Sequence, residues 1–377
     1  MCTAADALPA RKRVTPIESV LAQVVADVKD IADLVSRKWS MHHRTIRNLS
    51  FIVIAKNEEF VIQKCLASLK TLHLENCEII LVDSGSQDDT CNLMLAFAKD
   101  QDCAQVFRCS GFVNAAVARN VGLRHATKQY LFFIDGDVAV SEQFILRTLE
   151  EFEQHPNIAA IRGRLPEIQY APGYSHVRAS QSDRHAIDSR KKMFLWGGVF
   201  VARREAATSI GEFDESFATN EDLDYSMRFS RKYSCDAIPI EMGTHHTIDY
   251  YDKERMRASL RNSNYLHYGR LLRKHIRWPR TVFSIIRRNP MLHYGPSVYA
   301  LFLAALLLYA VRCYTPAVIL AAVAGSLVLI DIVHAMRAKK AVSSRLFLHF
   351  VLPFRILATF LFARQPKRSQ SAYEQLR

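Results

Sequence analysis

No Gly-x-Gly-x-x-Gly follows the first strand-like run of this 377-residue chain, and Gly-Lys-Ser/Thr occurs nowhere in it. Both the dinucleotide fingerprint and the P-loop are thereby excluded, so a phosphate-bearing ligand would have to be held by a metal and by basic side chains. The eight cysteines, at 2, 65, 77, 91, 103, 109, 235 and 313, include no Cys-x-x-Cys pair and no ladder of short spacings. That argues against zinc and against a disulfide scaffold, and for thiols in a reducing compartment. The first residues lack the basic, apolar and small-residue succession of a secretory signal, which predicts a cytoplasmic location for the bulk of the chain. Internal repeats and low-complexity tracts are absent too. What is in excess is positive charge: 50 Lys and Arg against 37 Asp and Glu give +13 and a pI near 9.4. Such a balance suits phosphates, nucleic acid or an acidic membrane surface. Nucleic acid is not expected, because no stripe of stacking aromatics and basic residues accompanies the charge. With 49% hydrophobic residues the chain can bury a large core, and one large domain with accessory segments is the natural division.

Pro16 opens a helical pattern in which Ile17, Leu21, Val24, Val28, Ile31 and Val35 form an apolar seam. The seam reads as a surface for homo-oligomer formation or, as is commoner for such stripes, as a face packed on its own domain or on lipid. From Ser50 the pattern becomes strand, helix, strand, helix. Strands are expected at Phe51–Ala55, Glu78–Val82, about 105–108 and Tyr130–Ile134, with helices to about Lys70, to about Lys99 and from Asn114 to about Ala126. This alternation predicts an α/β fold whose mostly parallel sheet is flanked by helices, with the loops at the strand C-termini sharing one crevice. Glu59, Asp83 and Asp137 fall along that rim.

The strand Tyr130-Leu-Phe-Phe-Ile134 runs straight into Asp135-Gly136-Asp137. Two carboxylates two residues apart at a strand end can bind a hard cation through oxygen, and the glycine between them lets the backbone approach closely. Asp-Gly is also a common turn. The surrounding chain must therefore supply a nucleotide pocket before it and a base after it.

The ordered succession SFIVIAKNEE, IILVDSGSQDDT, AAVARNVGL, YLFFIDGDV, WGGVFVARR, GEFDE and NEDLDYSMR resembles the inverting family 2 glycosyltransferases of the GT-A fold, over roughly residues 49 to 250. That resemblance implies a Rossmann-like catalytic domain, a nucleotide-sugar donor and Mn2+ or Mg2+ as cofactor. It places Glu59 and Asp83 against the base of the nucleotide, usually uracil, with Ser84 and Ser86 shaping the loop. The donor-binding set it implies is Ala55, Asn57, Glu59, Asp83, Ser84, Arg119, Asn120, Asp135 and Gly136. Asp137 is the stronger metal ligand of the Asp-x-Asp pair, and His245 completes the metal shell. Where the family often carries Pro and Tyr ahead of the Asn, this chain has Ile54 and Lys56.

On the acceptor side lie Trp196, Gly197 and Gly198, and the acidic start of a helix, Asn220-Glu-Asp-Leu-Asp224, capped electrostatically by three carboxylates. The resemblance makes Asp222 the catalytic base, beside Glu221, with Asp224 and Arg228 supporting the helix. Of His245 and His246, at most one can face the metal, since neighbours point in different directions. The basic residues Arg162, Arg164, Arg178, Arg184, Arg190, Lys191 and Lys192 read either as a pyrophosphate-facing group or, more simply, as a solvated face. A basic helix is expected over 252–269. Polymerising members carry Gln-x-x-Arg-Trp near here; His275 and Lys274 precede Arg277-Trp278 instead, which favours single addition.

Two apolar runs, about 291–311 and 317–335, are each long enough for a bilayer core. Basic flanks on both sides put both ends of this hairpin inside. A third segment, 346–363, is interrupted by His349, Pro353 and Arg355 and reads as interfacial. The expected division is therefore a tail and amphipathic helix at 1–48, a catalytic domain at 49–275 and a membrane-anchoring region at 276–377. Together these readings predict a glycosyltransferase on the cytoplasmic face of a bacterial inner membrane. Its partners would be a nucleotide-sugar donor, a lipid-linked or saccharide acceptor and membrane lipids. The rivals are transfer to a polyprenyl phosphate, and a non-catalytic membrane scaffold that keeps the fold.

Overall fold

The computed structural model describes residues 28–29, 45–181, 187–249, 252, 255, 267–337, 346–362 and 371–377. The chain divides into two compact units, 1–45 and 46–377. Apart from Val28, the apolar seam of the first unit lies outside the described residues, as does most of the basic helix expected at 252–269.

The second unit is built on β1 (Leu49–Ala55), α1 (Ile62–Lys70), β2 (Glu78–Asp83), α2 (Thr90–Lys99), β3 (Ala104–Gly111), α3 (Ala115–His125) and β4 (Tyr130–Asp135). β1 is buried at every position, as expected of a parallel strand covered on both faces. Alternate residues feed two cores. Phe51, Val53, Ile79, Leu81, Phe132 and Ile134 share one with α1 and α2; Ile52, Ile54, Ile80, Val82, Leu131 and Phe133 share the other with α3. Each fully buried Phe or Ile contributes about 1.5–3 kcal/mol.

Strand order runs β4-β1-β2-β3, all parallel. The chain steps outward from β1 to β3 and then crosses back, through α3 on the opposite face, to β4. The reversal of winding falls between β1 and β4, and a ligand crevice opens at the strand C-termini at such a point. Register sharpens it: Ala55 lies opposite Asp83, and Ile54 opposite Asp135.

After β4 come β5 (Val138–Val140), α4 (Glu142–Gln154), β6 (Ile158–Arg164), β7 (Glu167–Tyr170), β8 (Val177–Gln181), β9 (Lys191–Lys192), β10 (Phe200–Arg203), α5 (Arg204–Ile210), α6 (Glu221–Lys232), β11 (Ser234–Glu241) and β12 (Gly243–Ile248). Ser141 caps α4, its hydroxyl accepting from Phe144 N at 3.4 Å. β10 enters the main sheet antiparallel between β4 and β6, while β8-β7-β12-β5 form a second sheet of four. His245 and His246 both lie within β12.

Four further helices follow: α7 (His267–His275), α8 (Pro279–Arg288), α9 (Pro290–Ala310) and α10 (Tyr314–Arg337), with α11 (Leu352–Phe362) after a π turn at 347–351. α9 and α10 contain stretches of 19 and 21 residues long and apolar enough to cross a membrane. Asp331 is nevertheless buried within α10, where its carboxylate stands 2.8 Å from His349 Nδ1. Finally β13 (Ser371–Gln375) pairs antiparallel with β3 and completes a main sheet of nine strands ordered β9-β11-β6-β10-β4-β1-β2-β3-β13. Sequence pattern gave no sign of β13, whose one aromatic side chain, Tyr373, packs edge-on against Phe107.

Candidate active site

Asp135 ends β4 at the winding reversal, and Arg119 reaches it from α3. Guanidinium Nη2 stands 2.5 Å from Asp135 Oδ1, and Nη1 stands 2.5 Å from Glu221 Oε1 at the start of α6. Arg119 and Glu221 are both buried. Burial opposes the arginine's charge, but Asp135 and Glu221 outweigh it and raise its pKa further. Gly198 leaves the space for this bridge. A Cβ there would fall on the guanidinium and lie 2.8 Å from Asp135 Oδ2, so no other residue fits without displacing the pair.

Asp222 follows Glu221, and its Oδ2 lies 3.6 Å from where a Gly197 Cβ would sit. The Gly197-Gly198 turn therefore has Asp222 on one side and Asp135 on the other. Desolvation, then the neighbouring Glu221, push the Asp222 carboxyl up to about 7, against the pull of Arg119 and of the Leu223 N–H that donates to its Oδ1. A carboxylate poised near neutrality suits general-base work.

On the other flank, pairing of β12 with β5 sets His245 opposite Val138, next to Asp137. His245 Nε2 lies 2.9 Å from Asp137 Oδ2, and Nδ1 lies 3.4 Å from Glu167 Oε1. Burial alone would lower this imidazole; Asp137 and then Glu167 more than reverse that, raising it to about 10. His246 turns the other way, to Tyr170 Oη at 3.0 Å.

A carboxylate that sequence reading missed completes the group. Glu58 is directed at Gly136, where a Cβ would meet its carboxylate and lie 2.6 Å from Ala55 Cβ. Burial first, then Asp137, Asp135 and Asp88, raise Glu58 well above the ordinary carboxylate range. Glu58 Oε2 and Asp137 Oδ1 are both buried without a hydrogen-bond partner. Acceptors left unpaired among carboxylates are what a hard cation would satisfy. Among the described residues no three His, Cys, Asp or Glu side chains already form a metal shell.

The loops after β1 and β2 brace each other. Asn57 accepts from Gln87 N at 2.9 Å, Glu59 accepts from Asp89 N at 3.1 Å, and Ser86 Oγ accepts from Asn57 N at 3.0 Å. Ser84 N donates to Ala55 O at 2.8 Å. Asp83 is fully buried, accepting from Ser86 N at 3.1 Å with Arg108 Nε 3.4 Å away.

Two expected site residues turn inward. Asn120 has no exposed surface: its amide donates to Phe213 O and Glu215 Oε1, both at 3.0 Å, and accepts from Phe213 N at 2.8 Å. It pins the 213–215 loop and is not a donor contact. Trp196 is likewise a core residue and not a wall of the acceptor site, with its ring packed against Phe200 and Phe229. The basic run after 160 also resolves into structural pairs: Arg190 with Glu151 and Asp236, Arg164 with Glu241, and Arg178 with Asp249. Arg184 lies outside the described residues.

Two residues after Asp222, Asp224 is wholly buried and held by Arg228 at 2.9 Å, Lys274 at 2.7 Å and His275 Nε2 at 2.8 Å. The last two come from α7, so the helix that carries Asp222 is fastened to the chain leading into the apolar hairpin.

Residues 50–211 match the model described as Glycosyl transferase family 2, and this segment is a domain of that family. The chain is 23% identical over 265 residues to the poly-beta-1,6-N-acetyl-D-glucosamine synthase of Staphylococcus epidermidis, covering 66% of this chain and 57% of that protein. It thus spans little more than half the length of the curated relatives it matches. Among solved structures, S. aureus TarS 1-349 superposes with a TM-score of 0.47 at 16% identity, covering 80% of this chain and 90% of that one. GalNAc-T7 with UDP, GalNAc and Mn2+ superposes with a TM-score of 0.44 at 15% identity, covering 53% and 43%.

Proposed function

We propose that this protein is a membrane-anchored, inverting glycosyltransferase that moves one sugar from a uridine-type nucleotide sugar to a hydroxyl of a membrane-associated acceptor. The observation that carries this reading is the pairing of two acidic groups across the Gly197-Gly198 turn: Asp135, on the strand end that leads to Asp137 and His245, and Asp222 with its pKa raised to about 7. Asp137 and His245, with Asp135 beside them, are the residues to hold Mn2+ or Mg2+. Bound there, such an ion offsets negative charge on the departing nucleoside diphosphate.

The protein's own groups supply the rest. Asp222 accepts the proton of the acceptor hydroxyl as the oxygen attacks the anomeric carbon from the face opposite the leaving group. Arg119 fixes Glu221 and Asp135 at a set separation, so the base and the Asp-x-Asp strand end keep their mutual position. Transfer to the anionic oxygen of a lipid phosphate would need no base. Asp222→Asn therefore tests the reading: with UDP-sugars and membrane extract, sugar incorporation should fall by about 10²–10⁴-fold, the usual worth of general-base catalysis. Incorporation that survives the substitution would reject hydroxyl attack.

A further inference from the structure

β13 closes the edge of the main sheet on the side of the loop that follows β2. It runs antiparallel to β3, with Tyr373 opposite Cys109, Glu374 opposite Arg108 and Gln375 opposite Phe107. Backbone pairing continues past the strand: Leu376 N donates to Val106 O and Val106 N donates to Arg377 O, both at 2.8 Å. Without this partner β3 would be an edge strand, with a row of amides and carbonyls left to water. Two side chains seat the added strand. Tyr373 meets Phe107 and His125 edge-on, at ring-centroid distances of 6.2 and 5.5 Å. Glu374 lies directly across from Arg108, the cross-strand position in which opposite charges attract.

The same stretch of β3 supports the loop expected to meet the donor's base. Arg108 Nε stands 3.4 Å from Asp83 Oδ2, and Nη2 donates to Ser86 O at 3.3 Å. Gly85 is left-handed, with φ of 74°, and lies close against the next residue of the strand: a Cβ there would stand 3.2 Å from Cys109 O. Asp83 and the turn through Ser86 therefore rest on Arg108 and Cys109, which are the residues opposite Glu374 and Tyr373.

We propose that β13 is a positioning strand for the nucleotide pocket: docked on β3, it holds Arg108 and Cys109 against the loop from Asp83 to Ser86, so that strand docking and nucleoside diphosphate binding favour one another. The inference rests on the nucleotide-sugar reading and adds to the donor site a segment from beyond the apolar helices. Coupling of this kind is reciprocal. Whatever factor the docked strand adds to nucleotide affinity, the bound nucleotide returns to the docked strand.

The test compares the full chain with one ending at Gln370, both in detergent micelles, by calorimetric titration with UDP in the presence of Mn2+. Removing 371–377 should weaken UDP binding by about fivefold or more, the lower end of couplings between sites. Hydrogen exchange reads the same link from both sides: UDP should slow exchange at 372–376 in the full chain, and the deletion should speed exchange at 84–87 in protein without ligand. Glu374→Lys keeps the strand and reverses the charge facing Arg108. It should weaken UDP binding with the ligand-free melting temperature unchanged, whereas Glu374→Asp should bind as the wild type does. Equal UDP affinity in the shortened and full chains would overturn the proposal, as would exchange at 84–87 that ignores the deletion. If shortening unfolds the protein, undiminished affinity of Glu374→Lys overturns it instead. A full chain that binds no UDP would count against the nucleotide-sugar reading alone, because exchange at 84–87 is read without ligand and still decides the positioning role.

Discussion

Arg119 Nη1 stands 2.5 Å from Glu221 Oε1, a buried contact between α3 and the first residue of α6. With the second arm on Asp135, this one side chain ties together the strand end that leads to Asp137 and the helix that carries Asp222. Removing it strands the buried Glu221 carboxylate and unpairs the half-buried Asp135. Arg119→Ala should destabilise the domain by about 3–5 kcal/mol, the usual cost of orphaning a buried ionic partner. Arg119→Lys keeps the charge but loses the two-armed fork and should recover only part of both stability and turnover. Chemical denaturation alongside initial rates would check this, and a lysine variant equal to the wild type would refute the bridging role.

Asp222 gives a pH signature. Its carboxyl is raised to about 7 in the folded protein, so the fraction competent to accept a proton falls as pH drops below that value. The transfer rate should decline close to tenfold per pH unit on the acid side of about 7 and level off above it. The stability effect has the opposite sense. A raised folded-state pKa means the native state holds the proton more tightly, so stability is lost as pH rises through the interval from the unfolded value to about 7. Asp222→Asn should accordingly raise the melting temperature at pH 8 while abolishing transfer. A lower melting temperature would contradict the assigned environment.

Asp137 and His245 should matter for metal and not for folding. Asp137→Ala and His245→Ala are expected to remove the extra thermal stabilisation that Mn2+ confers on the UDP-bound protein, leaving the melting temperature without ligand within a few degrees of wild type. Glu58→Gln should weaken the metal effect less, because Glu58 is already driven towards its protonated form. Differential scanning fluorimetry with and without EDTA reads all three.

Asp224 supplies an acid-side contrast. Burial disfavours its charge, yet His275, Lys274 and Arg228 hold it well below the ordinary carboxylate range. A depressed folded pKa adds stability that is complete above the unfolded value and disappears as pH falls below it. His275→Ala should cost about 1–3 kcal/mol, the range for a hydrogen bond to a charged group, at neutral pH, with a smaller cost below pH 4. It should also lower the transfer rate while leaving UDP affinity unchanged, because α7 meets α6 and not the nucleotide loops.

Much of this was legible in the residues themselves. The strand Tyr130–Ile134 announces its burial on both faces by an unbroken apolar run. Both apolar helices appear within a few positions of their expected ends. The failures have local causes. Glu58 and Glu59 are adjacent acids, and which one turns to the aspartates is decided by the left-handed turn at Asn57, with φ of 54°, invisible to any periodicity. Asn120 and Trp196 lie beside Arg119 and Gly197, and only packing shows that their side chains face the core. Residues 160–195 defeated pattern reading because their strands are short and carry arginines whose partners, such as Glu151 and Asp236, are distant in sequence.

β13 has its own consequence for movement. The chain leaves the sheets at Ile248, runs through the apolar helices, and rejoins the main sheet along its outermost strand at Ser371. On the proposed membrane anchoring, a domain joined to the apolar helices at only one end would be free to swivel over the lipid surface; one gripped at both ends is held like a bucket by two sides of its handle, and its range of tilt is restricted accordingly.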